Sequence, residues 1–80
     1  MRRIIEGNQA NLIGERIRNA RIQAGFSQQQ LADRLELMAV YVCRGSVSRI
    51  ENGERMITDI EIDAISRVLK VSLDYLFSRK

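Results

Sequence analysis

Gly25-Phe26-Ser27-Gln28-Gln29-Gln30-Leu31-Ala32-Asp33-Arg34-Leu35 contains the end of one helix and the start of the next. Gly25 follows an apolar series and reads as a helix stop, because glycine takes the left-handed conformation of a C-terminus at little steric cost. Ser27 with Gln30 three residues on is a capping box. The hydroxyl accepts from the Gln30 backbone N–H while the Gln30 side chain reaches back to the start of the helix. A helix is therefore predicted from Gln28, with Leu31, Ala32 and Leu35 toward the core and an end between Leu35 and Met38.

Upstream, Ile13, Ile17, Ala20 and Ala24 recur at spacings of four, three and four, one face of an amphipathic helix that runs from Leu12 to the stop at Gly25. Downstream, Glu36 to Cys43 loses clear periodicity, and Tyr41, Val42 and Cys43 include residues that favour extended backbone. A third helix is predicted from Arg44 to Asn52, with Val47 and Ile50 inward and Gly53 just past its end. Thr58 and Glu61 form a second capping box, opening a helix with the stripe Ile62, Ile65 and Leu69. Ser72 caps a last short helix through Leu73, Leu76 and Phe77. Five short helices with brief connectors predict a compact all-α domain.

Composition sets the limits of function. The chain has 80 residues, thirteen Lys plus Arg against ten Asp plus Glu, and a formal net charge of +3. A polyanionic partner is permitted by that balance, not demonstrated. A domain of this size buries only about 60% of its unfolded surface, which leaves little room for a deep substrate cleft. With no His in the sequence, histidine-based nucleophile pairs, a histidine general base and the common zinc sites are excluded. Asp59, Glu61 and Asp63 offer carboxylates, but acids on a helix surface are far more often solvated than catalytic. The reading is therefore not an enzyme, with no metal and no cofactor. Cys43 is the one cysteine, so no intrachain disulfide forms. The apolar run Leu37 to Val40 is far shorter than the roughly 20 residues that span a bilayer, and Met1-Arg2-Arg3-Ile4-Ile5-Glu6 lacks the apolar stretch of a signal peptide. A soluble cytoplasmic protein without a membrane partner is expected.

The order of the pieces carries the functional expectation. Ile13-Gly14-Glu15-Arg16-Ile17-Arg18, then Ser27-Gln28-Gln29-Gln30-Leu31-Ala32, then Val47-Ser48-Arg49-Ile50-Glu51-Asn52-Gly53, then Leu69 to Phe77 stand in one register. Together they closely resemble the Cro/C1-type (XRE-like) helix-turn-helix family of bacterial and phage repressors. The resemblance covers residues 12–77, with residues 1–11 as a flexible N-terminal arm and 78–80 as a C-terminal tail. It implies a lambda-repressor-like five-helix DNA-binding bundle in which the second and third helices form the DNA-reading pair. Sequence-specific binding of double-stranded DNA by a homodimer on an inverted repeat would follow, with repression as the outcome.

Affinity for DNA comes mainly from neutralised phosphates, and sequence choice from side chains that reach base edges in the major groove. With Val47 and Ile50 inward, Arg44, Gly45, Ser46, Ser48 and Arg49 are left on the outer face as candidate base readers. The competing reading is a solvated charge for the arginines and a plain surface hydroxyl for the serines. The resemblance places Gln28 and Asn52 at phosphate-contacting positions; Ser27 and Arg55 are further phosphate candidates. Against these stand a plain first-turn residue for Gln28, a helix-terminus role for Asn52 and a cap alone for Ser27. Arg21 and Glu51 match family positions that form an ion pair between the first and third helices.

The connector departs from the family. A helix-turn-helix usually has a turn of about four residues, whereas placing Val42 at the usual turn hydrophobe leaves Glu36 to Val40 as roughly five extra. A subgroup with a longer turn and a Thr-Asp-x-Glu helix start is similar, matching Thr58-Asp59-Ile60-Glu61. Cys43, where the family often has a capping Ser or Thr, reads as a small packed residue. Leu73, Tyr75, Leu76 and Phe77 are candidates for a dimer surface, though equally candidates for ordinary core. A second class of function is a protein interaction module, such as an antitoxin or phage regulatory adaptor, with secondary DNA binding. Glu51, Glu54 and the long connector keep that reading open, and Arg44, Arg49 and Arg55 weigh against it.

Overall fold

The computed structural model describes residues 9–78 as five helices in chain order: α1 (Gly14–Gln23), α2 (Gln28–Leu37), α3 (Arg44–Glu51), α4 (Asp59–Leu69) and α5 (Leu73–Leu76), with no strand among the described residues. The predicted starts at Gln28 and Arg44 and the starts after Thr58 and Ser72 all appear. The hydroxyls of Ser27, Thr58 and Ser72 accept from the backbone N–H three residues on, and both capping boxes close in both directions. These bonds satisfy amides that the first turn of a helix otherwise leaves without a partner.

α1 stops at the left-handed Gly25 as expected and differs from expectation at its start. It starts two residues after Leu12, and its cap is Asn11, whose Oδ1 accepts from the backbone N–H of Ile13 at 3.1 Å and of Gly14 at 2.7 Å. Asn11 is buried, and Ala10 N–H donates to the Gly53 carbonyl at 2.7 Å. Residues 9–11, counted with the flexible arm in the sequence reading, are thus fastened to the far end of α3. The remainder of that arm, residues 1–8, and residues 79–80 of the tail lie outside the described residues. Ala24, expected on the inner face, is exposed, because α1 stops at Gln23 and the chain turns away at Gly25.

The core unites Ile13, Ile17 and Ala20 of α1 and its approach, Leu31, Ala32 and Leu35 of α2, Val47 and Ile50 of α3, Ala64, Ile65 and Leu69 of α4, and Leu76 of α5. Val42 joins it from the connector. Burying an aliphatic side chain contributes about 1.5–3 kcal/mol, so this cluster is the main stabilising term of a small domain. Leu76 is fully buried and Tyr75 and Phe77 half-buried, so the last helix spends its apolar residues mainly on the core. The dimer candidates there reduce to Leu73, which remains exposed.

Each of the first four helices ends in a left-handed residue whose N–H, with the next one, closes back on the last turn. At Gly25 (φ 81°) and Gly53 (φ 76°) the residue is glycine; at Ala39 (φ 62°) and Lys70 (φ 58°) it is not. Behind Ala39, the Val40 N–H reaches the Leu35 carbonyl at 3.0 Å and the Ala39 N–H reaches Glu36 at 2.9 Å, a Schellman closure. α2 therefore runs on to Leu37 and takes up part of the extra length, leaving 38–43 as the connector. Within it Val40 is half-buried and Val42 buried while Tyr41 and Cys43 point out, the alternation of an extended strand. Cys43 is exposed, against the expectation of a packed residue: in extended backbone the position next to the inward Val42 faces the other way, toward solvent.

Candidate nucleic-acid interface

α3 stands on α1 and α2 by one face and turns the other outward. Val47, Ile50 and Glu51 are buried; Arg44, Gly45 and Arg49 are exposed; Ser46 and Ser48 are half-buried. The two serines are thus less open than the sequence suggests. Gly45 has nothing within 4 Å of where a Cβ would stand, so no packing inside the chain calls for a glycine there. In an exposed helix a glycine costs on the order of 1 kcal/mol relative to alanine.

The C-terminal end of α3 is held by an ionic and hydrogen-bonded network. The Glu51 carboxylate, its side chain only 1% exposed, accepts from Arg21 Nε at 2.6 Å and Nη2 at 3.1 Å, and from Gln28 Nε2 at 3.1 Å. Arg21 Nη1 also donates to the Phe26 carbonyl at 2.8 Å, tying the α1–α2 turn to α3. Arg21 and Glu51 therefore form a bridge from α1 to α3, with the start of α2 as a third member. Asn11 Nδ2 donates to the Ile50 carbonyl at 3.0 Å and to the Arg55 carbonyl at 2.8 Å. Gly14 approaches so closely that a Cβ on it would meet the Ile50 carbonyl oxygen at 2.1 Å. Neither Asn11 nor Gly14 stood out in the sequence, since each acts on a residue more than thirty positions away.

The expected phosphate contacts divide. Gln28 has its side-chain amide committed to Glu51, so its free group is the backbone N–H at the first position of α2. The Ser27 hydroxyl accepts from the Gln30 N–H at 3.0 Å and keeps its own proton to donate. Asn52 is exposed at the end of α3 and borders a cleft of about 290 Å³ that Arg18 also lines. Arg18 is an addition that spacing alone did not mark. Arg55, expected at a phosphate, is committed within the chain: its guanidinium donates to both Glu61 carboxylate oxygens at 3.0 Å and to the Met56 carbonyl at 2.9 Å. Those bonds hold the Glu61 carboxyl below the usual carboxylate range and raise the guanidinium in turn. The sequence gives no sign of this pairing six residues apart, because the acid is also half of a capping box.

Similar commitments leave few open cations. Arg16 lies over the Tyr75 ring at 5.1 Å, Arg34 over the Phe26 ring at 4.9 Å, and Arg67 pairs with Asp63 at 3.0 Å. Among the described residues, Arg18, Arg44, Arg49 and Lys70 remain without an ion pair or ring contact, and two of these four stand on the outer face of α3.

The entry to α3 is built differently. Cys43 is its N-cap and makes no side-chain cap bond; its thiol instead lies 3.5 Å from the Ser46 hydroxyl. That hydroxyl, followed by the backbone N–H of Ser46, pulls the thiol below its usual range. Cys43, Arg44 and Ser46 line an open cleft of about 410 Å³ with Gln29, Asp33, Glu36 and the exposed Tyr41.

A family model described as helix-turn-helix matches residues 17–76, more than half of the chain. No curated protein and no solved structure matches it.

Proposed function

The chain belongs to the helix-turn-helix family of DNA-binding regulators, and from that premise we propose that it reads a specific double-stranded sequence as a homodimer and represses transcription from an inverted-repeat operator. The observation that carries this reading is the outer face of α3, where Arg44 and Arg49 stay exposed and uncommitted while five other arginines are bound within the fold. Arg44 and Arg49 address guanines, for which a guanidinium offers two parallel donors to O6 and N7. Ser46 and Ser48 make shorter-range contacts to bases or sugar, and Gly45 lets the α3 backbone approach the groove closely. Phosphates are met by the Gln28 backbone N–H and the Ser27 hydroxyl at the start of α2, where the helix dipole favours an anion, and by Asn52 with Arg18. Arg21, Glu51 and Arg55 serve the geometry of the reader, not the DNA. The protein acts in the cytoplasm, where the DNA is.

A selection from random duplex DNA, run in parallel for the wild type and Arg49→Ala and followed across salt concentrations, tests this. An enriched inverted repeat that becomes degenerate at particular bases in the variant is expected, with affinity for the selected site down by about 10- to 100-fold. No enriched sequence, with weak binding that falls steeply with salt in both proteins, would reduce the interaction to charge attraction and leave the protein-adaptor reading standing.

A further inference from the structure

The outward surface of α3 does not stop where the helix begins. The turn out of α2 and the connector carry large apolar side chains in the open: Leu37 is 83% exposed and Tyr41 76%, with Met38 exposed between them. Tyr41 spends little of its ring on the fold, whereas Tyr75 is half-buried with the Arg16 guanidinium over its ring. Val40 and Val42 turn inward on either side of Tyr41, and the Val40 N–H bonds to the Leu35 carbonyl at 3.0 Å, so the backbone directs the ring outward. Tyr41 and Cys43 share the outer face of this extended segment, and a rise of about 3.3 Å per residue puts Tyr41 roughly 6.6 Å ahead of the α3 N-cap. With Arg44 and Ser46 of the first turn of α3, Tyr41 borders the open cleft of about 410 Å³ whose other wall is Gln29, Asp33 and Glu36 of α2. The ring therefore continues the outer face of α3 past Arg44.

We propose that Tyr41 is a further specificity-determining residue, its ring packing on a thymine methyl group beyond the base pair that Arg44 addresses, so that the long connector widens each half-site. The inference rests on the DNA-binding reading and adds a contact to the same face. Base pairs stack about 3.4 Å apart, so a side chain roughly 6.6 Å ahead of the N-cap reaches about two pairs farther along the groove. The α2 wall decides what the ring meets. Asp33 and Glu36 bring two negative charges to the cleft against the one positive charge of Arg44, and the bond that Asp33 accepts from Gln29 Nε2 at 2.9 Å leaves its charge in place. A phosphate is repelled there, whereas a base edge is not. Among the groups that base edges present in the major groove, the apolar one is the thymine methyl, which an aromatic side chain fits. Tyrosine supplies a large contact area at the cost of only two torsions. Position favours DNA over a protein as the occupant. Tyr41 and Arg44 border one cleft, so a protein seated on the ring would cover the reader face, while a duplex covers both together.

A selection from random duplex DNA with the full chain, run for the wild type, Tyr41→Ala, Tyr41→Phe and Arg44→Ala, tests the contact, followed by Kd measurements on the selected duplex with deoxyuridine in place of the outer thymine. Tyr41 is exposed, and a thermal melt checks that each variant folds as the wild type does. Expected is a thymine preference just beyond the pair that Arg44→Ala relaxes, on the side away from any pair that Arg49→Ala relaxes. Tyr41→Phe should keep that preference, and Tyr41→Ala should lose it with the rest of the motif unchanged. Deoxyuridine removes one methyl group, which should weaken wild-type binding by about fourfold per half-site and leave Tyr41→Ala unaffected. The slope of affinity against salt should be the same in the wild type and Tyr41→Ala, since no charge pair with a phosphate is lost. A motif that keeps its outer thymine in Tyr41→Ala, or a wild type indifferent to deoxyuridine, would overturn the contact while leaving sequence-specific binding by α3 standing. So would a loss of affinity in Tyr41→Ala that is equal on every sequence, which would make Tyr41 a sugar-phosphate contact. No enriched sequence in any of the four proteins would overturn the DNA-binding reading itself, and the contact with it.

Discussion

The two ends of α3 are built on opposite plans. At its C-terminal end three side chains and one glycine backbone from other parts of the chain converge: Asn11 on the Ile50 carbonyl, Arg21 and Gln28 on Glu51, and Gly14 in close approach to Ile50. At its N-terminal end the chain enters through an extended connector that turns on a left-handed alanine and reaches a cysteine N-cap without a side-chain cap bond. Val42 packs there, but apolar contact has no direction. The direction of the reader helix is therefore set from behind; of the residues proposed at the groove, Arg44, Gly45 and Ser46 project from the less constrained end and Arg49 from the last, anchored turn. Of these fastenings only Gln28 also stands on the surface proposed to meet DNA, and there by its backbone N–H and not by the side chain that holds Glu51.

The largest effect is expected where the fastening is tightest. Gly14→Ala would bring a Cβ against the Ile50 carbonyl, and neither backbone can yield without separating α1 from α3. A loss of about 4 kcal/mol or more is expected in urea denaturation, against the ~5–15 kcal/mol of a whole domain. A loss under about 1 kcal/mol would mean that the helices slide freely and that the anchored end is not anchored. Next comes Arg21→Ala, which leaves the buried Glu51 carboxylate with Gln28 alone. Breaking one side of a buried pair costs about 3–5 kcal/mol, and the remaining amide bond puts the expectation near about 3 kcal/mol. An unchanged Tm would remove the bridge from the account of how α3 is held.

What the sequence disclosed follows the same division. Ser27 with Gln30, Thr58 with Glu61, Gly25 and Gly53 act within three or four residues, so their spacing alone located four of the five helices. The outer face of α3 was equally legible, because Val47 and Ile50 fix which side turns outward. The fastenings were not. Asn11 looks like a loop residue until Ile50 and Arg55 are beside it, and a glycine at 14 gives no sign that it faces a carbonyl from position 50. The Arg21–Glu51 pair came from family resemblance, since a separation of thirty positions carries no spacing rule. Arg55 read as a phosphate contact because a cation just past a reader helix looks the same whether it meets DNA or an acid on the next helix. At the entry, Ala39 sits where a glycine would have announced the turn, and that silence left the connector unread.

The entry end can be improved, which sharpens the contrast. Cys43 occupies the position that Ser27, Thr58 and Ser72 hold on three other helices, but sulfur is a weak acceptor. Cys43→Ser is expected to raise the Tm by a few degrees at pH 7, measured by circular dichroism. The advantage should narrow as pH rises. The thiol is shifted down in the folded chain, so between its folded and unfolded values the unfolded chain binds more protons, and wild-type stability grows with pH until it is fully present above the ordinary thiol range near about 8.5. A gap that stays constant to pH 10 would show that the Cys43 thiolate does not take up the role of a cap.

The smallest change tests the comparison most directly, because it touches nothing but backbone. Ala39 holds φ at 62°, where an L-residue with a Cβ is disfavoured by about 1 kcal/mol or more. Glycine removes that strain but also gives the unfolded chain more freedom, an opposing term of about 0.4–1 kcal/mol. Ala39→Gly is therefore expected to stabilise by only a few tenths of a kcal/mol, a gain resolved by the midpoint of a urea titration at unchanged slope. Its sign is informative. Gain would mean that the Schellman closure at Leu35 is kept and that the connector is merely suboptimal. Loss would mean that the Ala39 methyl group restrains the connector in the native state, so that the N-terminal end of α3 owes more of its position to residues 38–43 than to the fastenings behind it.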